Sequence, residues 1–202
     1  MQKIETKQIT RLAVLIAIVL IMSFTPLGYI RTAGLEISFL MIPVTVGSIT
    51  MGPVAGAILG GVFGFTSFIQ CFGMSAFGAT LLGINPFGTF VTCFIARVLA
   101  GIFPGLIFKL FAKEDASKGK LTVGYILSSL AGPLGNTLFF MSCLVLFFYT
   151  TEFVQGFAAQ LGAANPFAFV IGFVGLQGLV EAIVCTAVSI PVAMAINRYT
   201  KH

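Results

Sequence analysis

The feature that most limits how this chain can fold is a succession of long apolar runs, each near the length of one bilayer crossing. Short polar or Gly/Pro-containing segments separate them. In hydrocarbon every backbone N–H and C=O must be satisfied internally, so such runs are read as helices. About 20 residues rising 1.5 Å each cover the roughly 30 Å apolar core of a bilayer. The runs cover residues 9–30, 37–50, 54–69, 87–111, 121–148 and 167–196, which predicts six spans. The second is short and reads as a tilted or partly re-entrant helix buried by its neighbours. Met51-Gly52-Pro53 marks the turn into the third, because Gly-Pro breaks a helix. Residues 71–86 are apolar but too rich in Gly, Asn and Pro for a regular helix.

Charge placement supports the same count. Only 8% of the residues are charged and 58% are hydrophobic, against about 25% charged in a soluble domain. Lys3 and Lys7 precede the first run and Arg11 stands at its start, four lysines fall in residues 109–120, and Arg198 and Lys201 lie in the tail. The positive-inside rule places all three groups in the cytoplasm. The expectation is an all-α integral membrane protein of six transmembrane helices, residues 1–202 forming one domain with both termini cytoplasmic. Membrane orientation accounts for the net charge of +5, so nucleic acid is not an expected partner.

Arg97 and Glu181 depart from this pattern, each lying inside an apolar run. A charge at the centre of a membrane helix costs about 2.5–3.5 kcal/mol on insertion scales, so such residues face a polar cavity or each other. Enzymatic chemistry finds little to work with. The single histidine is His202, no Walker A sequence is present, and Glu181 is the lone acid within a span. That excludes a Ser-His protease, a His-based metal site and ATP hydrolysis by the chain itself. No catalytic residues, metal ligands or cofactor are expected. The four cysteines lack CxxC spacing and read as small core residues.

A binding pocket for a small, polar, anionic metabolite remains. Arg97 offers a planar donor fork for a carboxylate. Asn85, Asn136, Gln177 and Glu181 fall near the middle or outer half of their spans, Gln70 adds a further intramembrane polar group, and Phe39, Phe68, Phe139 and Phe140 could form apolar walls. The alternative is an Arg97–Glu181 salt bridge that fastens the fourth span to the sixth. Gly52, Gly56, Gly60 and Gly64 recur every fourth residue, a stripe suited to close helix packing.

Several segments, in order along nearly the whole chain, carry a family resemblance. They are Ala13-Val-Leu-Ile-Ala17, Leu35-Glu-Ile-Ser-Phe-Leu-Met-Ile-Pro43, Thr66-Ser-Phe-Ile69, the Arg97 region, Gly132-Pro-Leu-Gly-Asn136-Thr137 and Glu181-Ala-Ile. The chain resembles the substrate-binding S component of an energy-coupling factor (ECF) vitamin transporter, and is most similar to the pantothenate branch. The resemblance implies capture of a vitamin outside the cell membrane and delivery through a membrane scaffold subunit and two ATPases. It further implies that Ala13 and Ala17 dock on the scaffold, and that residues 31–36, 71–86 and 150–166 gate the pocket. Pantothenate would place its carboxylate on Arg97 and its polar backbone on Asn136 and Gln177. Riboflavin, folate or another vitamin is the alternative substrate. A stand-alone ion-coupled carrier or channel is the alternative class.

Overall fold

The computed structural model describes residues 6–31, 36–112 and 117–200. Lys3, the tip of the loop at residues 32–35, residues 113–116 and the tail from Lys201 lie outside the described residues. Nine α-helical stretches are described: α1 (Thr6–Phe24), α2 (Met41–Met51), α3 (Pro53–Gln70), α4 (Ala76–Ile84), α5 (Pro86–Phe90), α6 (Ala96–Phe111), α7 (Lys118–Phe148), α8 (Glu152–Gln160) and α9 (Pro166–Thr200). A π-helical turn, Val91–Ile95, joins α5 to α6, so Pro86–Phe111 runs as one rod. Five helices are long and apolar enough to cross a membrane: α1, α3, the Pro86–Phe111 rod, α7 and α9. Six crossings are therefore not established by length. The predicted second span is α2, whose 11 residues reach only about 16 Å.

The short α2 is the centre of the bundle. It packs against α1, α3, α6, α7 and α9, and its residues from Pro43 to Ile49 are all buried. The predicted turn forms as expected: Gly52 adopts φ 93°, a backbone state that favours glycine, and Pro53 opens α3 where its missing N–H costs nothing. One predicted loop contains unpredicted structure. Residues Tyr29–Arg31 and Glu36–Ser38 pair as antiparallel strands β1 and β2, with Tyr29 opposite Ser38. The broken segment before the fourth span also orders, as α4, begun by Ser75 accepting from the Gly78 N–H at 3.3 Å.

The glycine stripe is internal packing. A Cβ at Gly56 would collide with the Gly101 carbonyl oxygen, and one at Gly60 with that of Arg97. These positions let the α3 and α6 backbones touch. Gly132 likewise lets α7 close onto Thr45 of α2. One apolar cluster gathers Val19, Leu40, Met41, Val44, Leu59 and Phe63 around α2. A second joins α4, α7, α8 and α9 through Leu81, Leu144, Phe148, Val154 and Phe169.

Candidate functional site

A cavity of about 560 Å³ lies at the end of the bundle where the β1–β2 pair, α4 and α8 cross over the helices. That volume is within the roughly 300–1,000 Å³ of small-molecule sites. The cover contributes Tyr29, Ser38, Phe77, Leu81, Phe153 and Phe157. The polar floor comes from Ser67 and Gln70 on α3, Arg97 on α6, Asn136 and Thr137 on α7, and Gln177 and Glu181 on α9.

Local sequence explains how these side chains are presented. The π turn ends at Ile95, two positions before Arg97, so the helix register changes within a turn of the guanidinium. Arg97 Nη1 donates to the carbonyl oxygens of Thr92, at 3.1 Å, and Cys93, at 3.2 Å. Its Cζ sits 4.8 Å from the centroid of Phe63 and 5.1 Å from that of Phe140. Two aromatic faces thus exclude water from the cation and favour its charge. Pro133 has no N–H to donate one turn before Asn136, which loosens the α7 ladder beside the cavity.

The Arg97–Glu181 salt bridge does not form in this arrangement. Glu181 Oε1 instead accepts from Asn136 Nδ2 at 3.3 Å, and the backbone of Ser38 also hydrogen-bonds to the carboxylate. Among the described residues no carboxylate oxygen comes within 4.0 Å of the Arg97 guanidinium. Arg97 Nε and Asn136 Oδ1 are buried and have no hydrogen-bond partner among the described residues. Two residues that line the cavity thus each carry a desolvated, unpaired polar atom, one a charged donor and one an acceptor.

The remaining predicted residues divide. Gln177 lines the cavity half-buried, and Gln70 lines it while donating to the Ser23 carbonyl at 2.5 Å, tying α3 to α1. Asn85 does not line it. Its Oδ1 accepts from the Gly88 N–H at 2.9 Å and caps α5, because a short polar side chain before Pro86 suits an N-cap. Phe39 also lies elsewhere, against the α2 core cluster. Phe140 is part of the wall, whereas Phe68 packs on Phe72 and Phe90, and Phe139 on Phe103. The resemblance implied that residues 71–86 and 150–166 lie over the pocket, but the helices α4 and α8 with their aromatic lining were not legible, nor were Cys71 and Cys93, which both face the cavity. Phe77, Phe153 and Phe157 sit in segments taken as loops, and only their density of aromatics hinted at a packed role. Ala13 and Ala17 fall on the exposed outer face of α1.

Comparison with known proteins gives a consistent answer. The family model for "ECF transporter, substrate-specific component" matches residues 7–193. The chain is similar to the pantothenic acid transporter PanT of Lactococcus lactis subsp. cremoris (strain MG1363). The two are 30% identical over 164 residues, which cover 75% of this chain and 79% of that protein. In fold it resembles the crystal structure of the S-component for biotin from an ECF-type ABC transporter. There the TM-score is 0.57 at 15% identity, covering 100% of this chain and 95% of that one. The chain therefore belongs to the family of ECF transporter substrate-specific components, as a multi-pass membrane subunit that binds a substrate for transport and is not an enzyme.

Proposed function

We propose that the chain captures a vitamin bearing a carboxylate, pantothenate before others, and passes it to an ECF scaffold with two ATPase subunits. The observation that carries this reading is the Arg97 guanidinium, buried between two phenylalanine rings with its Nε unpaired. A desolvated cation without a counter-ion favours an anion strongly. The unpaired Asn136 Oδ1 on the neighbouring helix suits a hydroxyl or amide N–H of the same molecule. Pantothenate supplies a carboxylate, hydroxyls and an amide, and the 30% identical relative is named as a pantothenic acid transporter.

In this reading the bundle crosses the membrane six times, with α2 as the short central crossing and both termini cytoplasmic. The cavity then opens outward beneath β1–β2, α4 and α8. Ala13 and Ala17 form the docking face, since both are exposed on α1 whereas Gly56, Gly60 and Gly64 of the glycine stripe are used in packing within the bundle.

Calorimetric titration of the purified chain against a vitamin panel tests the proposal. Pantothenate is expected to bind without ATP, and panthenol, which has an alcohol in place of the carboxylate, to bind far more weakly. Equal affinity for the two would remove Arg97 from its assigned role. Binding of another vitamin alone would reassign the substrate. Ala17→Trp is expected to stop transport in cells supplied with the energising complex while leaving pantothenate titration unchanged.

A further inference from the structure

The cavity wall carries a pair of groups that anion capture does not use. The sulfurs of Cys71 and Cys93 stand 3.8 Å apart, and both thiols are free and buried. Both line the cavity, so a small solute that enters it reaches them. Each belongs to a different working part of the site. Cys71 ends α3 at the base of the turn leading to α4, and its sulfur fills the space beside Gly78 at the start of that cover helix. Cys93 lies in the π turn, and its carbonyl oxygen is one of the two that hold Arg97 Nη1. The 22-residue separation between the cysteines encloses α4 and α5.

We propose that Cys71 and Cys93 form a redox-active dithiol that a hydroperoxide converts to a disulfide, and that the disulfide weakens ligand capture. The second half rests on the anion-binding reading above. One thiolate attacks the peroxide oxygen, the O–O bond breaks, and a sulfenic acid and an alcohol or water form. The second sulfur then attacks the sulfenic sulfur, the S–S bond forms and water leaves. Two thiols are oxidised by two electrons and one peroxide is reduced, so no further reactant is needed. Closing a 3.8 Å gap to the about 2.05 Å of a disulfide draws the π turn toward α3. That movement takes the Cys93 carbonyl away from the guanidinium and narrows the cavity beside it.

The test uses the full chain in detergent, treated with hydrogen peroxide and digested without reductant for mass spectrometry. A linked Cys71–Cys93 peptide is expected, and dithiothreitol is expected to remove it. Pantothenate affinity should fall about tenfold, or about 1.4 kcal/mol, on oxidation and recover on reduction. Cys71→Ser and Cys93→Ser should each show the same affinity before and after peroxide, whatever that affinity is. Absence of the linked peptide overturns the dithiol. A linked peptide with unchanged affinity overturns the gating, as does a loss that persists in Cys71→Ser. A reduced chain that binds no pantothenate sinks the ligand reading and the gating with it, while the peptide map still decides the dithiol.

Discussion

Around Gly56, Gly60 and Gly101 the α3 and α6 backbones touch, whereas toward the other end of the bundle α3, the Pro86–Phe111 rod, α7 and α9 surround a cavity of about 560 Å³. The contrast extends to polar groups. In the packed half, Ser48 donates to the Gly101 carbonyl at 2.6 Å and accepts from the Gly105 N–H at 2.9 Å, bridging the two groups that an α-helical ladder would join. Beside the cavity, Arg97 Nε and Asn136 Oδ1 lack partners among the described residues. Some hydroxyls of α2, α7 and α9 are also unpaired, among them Thr45, Ser128 and Ser189. A neutral hydroxyl is far less costly to bury alone than a charge. The lesson is that orphaned groups differ in what they imply. An unpaired hydroxyl is tolerated, while a buried guanidinium with no carboxylate beside it is the group on which the proposed anion binding rests.

The sharpest way to break this contrast is Arg97→Ala. Truncating one partner of a buried charge pair costs about 2–5 kcal/mol, so pantothenate affinity should fall at least thirtyfold. Size-exclusion chromatography should still show a monodisperse protein. A chain that no longer folds would instead make Arg97 a structural brace. Arg97→Lys should recover only part of the affinity, since a point charge does not reproduce the planar fork.

Gly101→Ala probes the packed half. Its new Cβ would meet the Gly56 carbonyl, and overpacking of this kind costs about 1–3 kcal/mol. The expected readout is a lower thermal midpoint in detergent, with ligand affinity retained by the folded fraction. Ser48→Ala should cost about 1–3 kcal/mol by leaving the Gly105 N–H buried without its hydroxyl partner. A stability unchanged by Ser48→Ala would mean that the α6 ladder closes on itself once the hydroxyl is gone.

Asn85→Ala separates a cap from a ligand contact. Loss of an N-cap costs about 1 kcal/mol of stability, and pantothenate affinity should not change. A large loss of affinity at full stability would return Asn85 to the binding site. The smallest effect is expected at Gly175, where an added methyl meets nothing within 4 Å. Gly175→Ala should leave stability within about 0.5 kcal/mol and binding unaltered.

Residue by residue, legibility followed how local each decision was. The Gly52-Pro53 turn was legible because a positive φ and a missing N–H are properties of two adjacent residues. Arg97 and Glu181 stood out because the cost of a charge in an apolar run needs no knowledge of neighbours. Their pairing did not stand out. Asn136 and Glu181 are 45 residues apart, and nothing local distinguishes that bond from an Arg97–Glu181 bridge. Asn85 was misplaced for the same reason, since capping and ligand contact use the same side-chain oxygen.

Hydropathy by itself determined that this chain lives in a membrane as a set of helices, because transfer free energy sums along a run of residues. It also singled out the few polar groups that such an environment must accommodate. Only the tertiary structure decided that the 11-residue α2 is the buried centre of the bundle, that α4 and α8 cover the cavity, and that Cys71 meets Cys93. Those outcomes depend on which helix faces meet. That is set by backbone approach at glycines such as Gly56 and Gly101, which lie far apart in the chain and in contact in the fold.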